Sequence, residues 1–82
     1  MSVSEEQILE KLTDIFRDIL EVDDLNLTRT TLMEDIENWD SLSNVRIMVA
    51  IEGEFNIRFE THELTSVDGV AALIDFIEEK IS

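Results

Sequence analysis

Apolar residues recurring at helical spacing, in a chain without a single proline, constrain the fold most. Ile8, Leu12, Ile15, Phe16 and Ile19 share one face of a helix running to about Leu20. Ser4 and Gln7 form a capping-box pattern that starts this helix just after Ser4. Val67, Val70, Ile74, Ile77 and Ile81 give a second buried stripe, with Leu73 and Phe76 beside it. That last helix is expected to begin near Thr65 or Ser66, where Asp68 would add negative charge to the first turn and Lys80 would suit the far end. A middle helix is predicted from Asp40-Ser41 to about Phe55.

Between the first two helices, Glu21 to Asp40 holds seven acidic residues in twenty. Connections of this length are uncommon in compact domains and are usually functional. Leu25, Leu27, Leu32, Met33, Ile36 and Trp39 are expected to pin it to the core as an ordered loop. The shorter connection from Asn56 to Leu64 should hold one helical turn around Thr61-His62-Glu63-Leu64. The expected fold is all-α: a small antiparallel bundle of three main helices plus one short helix. Eighty-two residues supply one core, since a chain of this size buries roughly 60% of its potential surface. A single domain over residues 1–82 is expected.

Charge excludes several functions. Twenty acidic residues against six basic give a net charge of -14, which repels nucleic-acid phosphates and anionic membranes. The expected partners are proteins with basic patches, met through steered encounters. Hydrophobic residues make up 44% of the chain, too many for a disordered segment. No apolar run approaches the ~20 residues of a membrane span. The start, Met-Ser-Val-Ser-Glu-Glu, lacks the features of a signal peptide, so a cytoplasmic protein is expected; a monomer is expected as well. With no cysteine there is neither a disulfide framework nor a thiolate metal site. The acidic loop also fails as a calcium loop read from Asp24: Arg29 stands at the required glycine and Asp35 at the final glutamate. No metal site is expected.

Asp40-Ser41-Leu42 opens the middle helix, and taken locally either Asp40 or Ser41 could cap it. At about 100° per residue, Ile47, Met48, Ile51 and Phe55 fall on one face. Leu42, Val45 and Val49 fall on another, roughly 140° away, bordered by Arg46 and Gly53. Either the helix is buried on both sides, or the second stripe is an exposed docking patch beside Ser41. An enzyme is not expected. A serine hydrolase would need a base, the sole candidate is His62, and there is no nucleophile elbow.

The segment from Trp39-Asp40-Ser41-Leu42-Ser43-Asn44-Val45 to Glu52-Gly53-Glu54-Phe55-Asn56-Ile57 resembles the acyl carrier protein family. The match includes Asp-Ser-Leu at the helix start, its distance from the N-terminus, the acidic loop before it and the Thr-Ser-Val start of the last helix. The resemblance implies that Ser41 is esterified by 4′-phosphopantetheine from coenzyme A through a phosphopantetheinyl transferase. Asp40 would cap the helix and be read by that transferase, with Leu42 completing the attachment motif. It further implies a thioester carrier that meets acyl-loading and acyl-transferring biosynthetic enzymes through Leu42, Val45, Arg46, Val49 and Glu52. The cysteine-free chain fits, because the arm would bring the only thiol. Arg46 and Trp39 depart from the housekeeping fatty-acid pattern and look more like carriers of polyketide-, peptide- or sugar-modifying-type pathways. A housekeeping fatty-acid carrier and an unmodified acidic interaction module are the alternatives.

Overall fold

The computed structural model describes residues 4–81. Four helices follow one another: α1 (Glu5–Leu20), α2 (Ser41–Phe55), α3 (Thr61–Leu64) and α4 (Val70–Ile81), with a 3-10 turn at Met33–Asp35. The described residues contain no strand, only an isolated antiparallel bridge between Leu32 and Gly69.

The capping box that starts α1 forms as its sequence pattern requires. The Gln7 amide donates to Ser4 Oγ at 3.2 Å, and the Ser4 amide donates to Gln7 Oε1 at 3.1 Å. The helix closes at Glu21, which takes the left-handed conformation at φ 57°. Ile8, Leu12, Phe16 and Leu20 are buried along one stripe. They meet Ile47, Met48 and Ile51 of α2 and Val70, Leu73, Ile74 and Ile77 of α4 in one continuous core. Each such side chain contributes about 1.5–3 kcal/mol by leaving water, so the three long helices hold one another in place.

The α1–α2 connection is ordered by polar ties as well as apolar pins. Arg17 Nε donates to the Leu25 carbonyl at 2.7 Å, and an Arg17 terminal nitrogen donates to Asn26 Oδ1 at 3.1 Å. Arg29 bonds Glu5 of α1 and reaches Asp75 of α4 at 2.9 Å. Leu27 and Trp39 are buried, and the Trp39 ring meets Phe16 edge-on at 4.7 Å and 86°. Leu25, Met33 and Ile36 are half-buried against the core, whereas Leu32 is exposed.

One boundary differs from expectation. The last helix begins at Val70, not near Thr65 or Ser66. The Asp68 carbonyl accepts from the Met33 amide at 2.8 Å, and the Val70 amide donates to the Thr31 carbonyl at 2.9 Å. This pairing ties residues 68–70 to the long loop. A Cβ on Gly69 would lie 3.0 Å from the Thr31 carbonyl oxygen, so the close approach depends on glycine. Val67 is therefore buried from the connection, not from the helical stripe, and Asp68 precedes the first turn.

α3 is a single turn fastened from both sides. The Glu60 amide donates to Glu63 Oε1 at 2.7 Å, and Lys80 Nζ of α4 lies 3.0 Å from the same oxygen. Lys80 also sits 5.7 Å from the centre of the Phe59 ring. The Glu63 carboxyl is held below the usual glutamate range, first by the Glu60 backbone N–H and then by Lys80.

Candidate functional site

The start of α2 resolves which residue caps it. Asp40 is the N-cap, and Ser41 is the first helical residue. The Ser43 amide donates to Asp40 Oδ1 at 2.9 Å, while the Asp40 amide donates to Ser43 Oγ at 2.9 Å. Ser43 Oγ in turn donates to the Asn38 carbonyl at 2.9 Å. The backbone N–H of Ser43 draws the Asp40 carboxyl below its ordinary range. The same box leaves Ser41 over: its side chain is exposed and its hydroxyl makes no hydrogen bond among the described residues.

Ser41 stands at the edge of an open groove of about 630 Å³, whose lining includes Leu32, Met33, Trp39 and Val67. Its acidic lining comes from Glu34, Asp40 and Asp68. Beneath it, α2 is anchored by a buried polar knot at Asn44, which is 2% exposed. Trp39 Nε1 donates to Asn44 Oδ1 at 2.9 Å. Asn44 Nδ2 donates to the Leu64 carbonyl at 3.3 Å and approaches Met48 Sδ at 3.4 Å. The knot joins the long loop, the first turn of α2 and the end of α3, which fixes the backbone that carries Ser41. Sequence patterning assigns Asn44 no structural role. Its spacing from Ile47, Met48 and Ile51 was the available signal, since it places Asn44 on the buried stripe.

The two-striped reading of α2 is resolved by exposure. Ile47, Met48 and Ile51 are fully buried, whereas Leu42 is 75%, Val49 58% and Val45 41% exposed. Arg46 is exposed alongside them. Glu52 sits differently: its Oε2 accepts the Phe59 amide at 2.7 Å, and the side chain is half-buried. It closes the α2–α3 turn as well as bordering the stripe. His62 lies far along the chain on α3, exposed and 3.7 Å from Glu60, and the structure gives it no contact with Ser41. No cluster of metal-ligating side chains occurs among the described residues.

Comparison with known proteins agrees with this geometry. A family profile described as a phosphopantetheine attachment site matches residues 10–77. The acyl carrier protein of Thermosynechococcus vestitus is 30% identical over 98% of this chain and 99% of its own length. That of Petrotoga mobilis is 29% identical over 98% of this chain and 94% of its own. The solution structure of a holo acyl carrier protein from Geobacter metallireducens superimposes with a TM-score of 0.79 at 38% identity. That superposition covers 89% of this chain and 84% of the other.

Fold and matches together define a small, non-enzymatic carrier whose reactive group sits on a covalently attached prosthetic arm. The chain belongs to the acyl carrier protein family. Its cofactor is 4′-phosphopantetheine, and its partners are a phosphopantetheinyl transferase and biosynthetic enzymes that use the loaded carrier. The residues present suit that group: an exposed hydroxyl free of hydrogen bonds at a helix start, beside an open, partly apolar groove, on a chain with no thiol of its own.

Proposed function

We propose that Ser41 is the attachment residue and that the protein delivers acyl or aminoacyl groups, as thioesters, between enzymes of a specialised pathway. The observation that carries this reading is the division of labour between neighbouring serines. Ser43 is committed to the capping box, while Ser41 offers an exposed hydroxyl without a competing bond. When attached, the arm supplies the thiol and the reach, and the protein supplies the address. A tethered group reacts at an effective concentration set by the arm. Asp40 serves as cap and as a feature for the transferase to read. Ionised beside Ser41, it also disfavours a phosphodiester folded back onto the helix end and so favours an arm directed outward.

Leu42, Val45, Arg46 and Val49 form the proposed docking face, with Glu52 at its border. The exposed apolar stripe is small, which suits brief encounters of a cytoplasmic monomer and not a permanent dimer. A specialised pathway, of polyketide, peptide or sugar-modifying type, is preferred because Arg46 and Trp39 depart from the housekeeping pattern. Mass spectrometry of the carrier isolated from its host tests both levels. The expected result is a phosphopantetheine ester on Ser41 bearing an acyl or aminoacyl thioester outside the fatty-acid series. A ladder of saturated fatty acyl chains would assign the carrier to fatty-acid synthesis instead.

A further inference from the structure

Arg46 has no charged partner among the described residues, although the chain is rich in acids. Six basic residues face twenty acidic ones. Lys11 lies 2.8 Å from Glu54 and Lys80 lies 3.0 Å from Glu63, while Arg29 bonds Glu5 and Asp75. Arg17 donates to Leu25 and Asn26. Of the six, Arg46 and Arg58 alone make no ion pair or side-chain hydrogen bond among the described residues, and Arg46 borders the exposed apolar stripe. On α2 the positions one turn away from it are Leu42, Ser43, Val49 and Ala50. None can neutralise it.

The opposite end of the same surface carries the other sign, because Glu34, Asp40 and Asp68 line the groove at Ser41. A helical rise of about 1.5 Å per residue sets Arg46 about 7–8 Å further along α2 than Ser41. Along this face the anionic lining at Ser41 gives way, past Leu42 and Val45, to a free cation at Arg46.

We propose that this face docks a partner enzyme whose surface is an apolar hollow bearing a carboxylate opposite Arg46, with basic groups where Ser41 enters. The proposal rests on the reading of the outer α2 face as the docking surface. Covering Leu42 and Val49 removes water from Arg46 as well, and a cation buried without a counter-charge is costly. A carboxylate at that position removes the cost, while a uniformly basic surface is repelled there. Opposite signs around Ser41 and at Arg46 also admit one orientation of the carrier and disfavour its reverse.

Two cross-linking variants of the holo protein, exposed to an extract of its host, separate this proposal from the docking reading. A photo-reactive residue at position 45 reports whether the face is covered. Arg46→Lys treated with a zero-length carbodiimide reports what lies opposite. The expected result is an amide between position 46 and an aspartate or glutamate of the protein captured at position 45. In transfer assays with that protein, Arg46→Glu should lower kcat/KM by about tenfold or more, and lysine at the mapped partner carboxylate should restore it. Capture at position 45 with no partner carboxylate joined to position 46 overturns the proposal and leaves the docking reading intact. So does coupling only to acidic residues of a second copy of this chain. No capture at position 45 overturns both.

Discussion

α1 and α2 are sixteen and fifteen residues long and both begin at a capping box, yet they distribute their apolar residues differently. In α1 every fully buried position is apolar, and the outer face is charged, with Glu6, Glu10, Lys11, Asp14 and Asp18 exposed. Folding alone accounts for that pattern. In α2 the buried stripe includes a polar residue, Asn44, while Leu42, Val45 and Val49 face solvent. Neither departure is what a helix needs merely to pack. The first departure fixes the helix start in space, and the second leaves an apolar surface next to Ser41. Residues of α1 therefore set stability, and the outer residues of α2 are free of the core and carry the proposed docking role.

The largest effect expected from this contrast is in α1. Phe16→Ala removes a fully buried ring that packs on Trp39 and should cost about 3–5 kcal/mol in denaturant unfolding. A loss below about 1 kcal/mol would show that α1 is not the stabilising partner. Next comes Asn44→Ala, which strands the Trp39 indole N–H and the Leu64 carbonyl. It should cost about 1–3 kcal/mol and shift Trp39 fluorescence to longer wavelength. An unchanged spectrum with unchanged stability would remove the knot from the account.

Acid titration sharpens the picture of α3. The folded Glu63 carboxyl lies below its ordinary value of 4.5, so its contribution is complete above that pH and is lost as pH falls through the lower folded value. Falling pH also relieves the self-repulsion of a chain at -14, so the informative quantity is the difference between wild type and Glu63→Gln. That difference should be greatest near neutral pH and shrink below about pH 4.5; a constant offset would contradict the assigned cause. The smallest effect on stability is expected at the outer stripe. Val45→Asp should leave the circular dichroism spectrum intact and change stability by about 0.5 kcal/mol or less, while impairing turnover with partner enzymes. Collapse of the fold would make Val45 a core residue.

Most of the fold was legible because local signals agreed with tertiary packing. Cap and periodicity both place α1 where it forms, and the α2 wheel separates Ile47, Met48 and Ile51 from the exposed stripe. The start of α4 was misplaced because Val67 and Val70 have helical spacing. Local pattern contains no trace of the Leu32–Gly69 bridge, which claims the Asp68 carbonyl and the Val70 amide. Asn44 escapes a wheel drawn from apolar residues alone, although its position on that wheel points inward. At the site, sequence left Asp40 and Ser41 as rival caps. Only the paired bonds between Asp40 and Ser43 distinguish them, and those bonds are what leave the Ser41 hydroxyl free.

That freedom is the central claim, and intact-mass analysis tests it most directly. Incubated with coenzyme A and a broad-specificity phosphopantetheinyl transferase, the wild-type protein should gain the mass of one phosphopantetheine. Ser43→Ala should still gain it, and Ser41→Ala should gain nothing while keeping its helical spectrum. A mass gain in Ser41→Ala, or none in the wild type, would contradict the account.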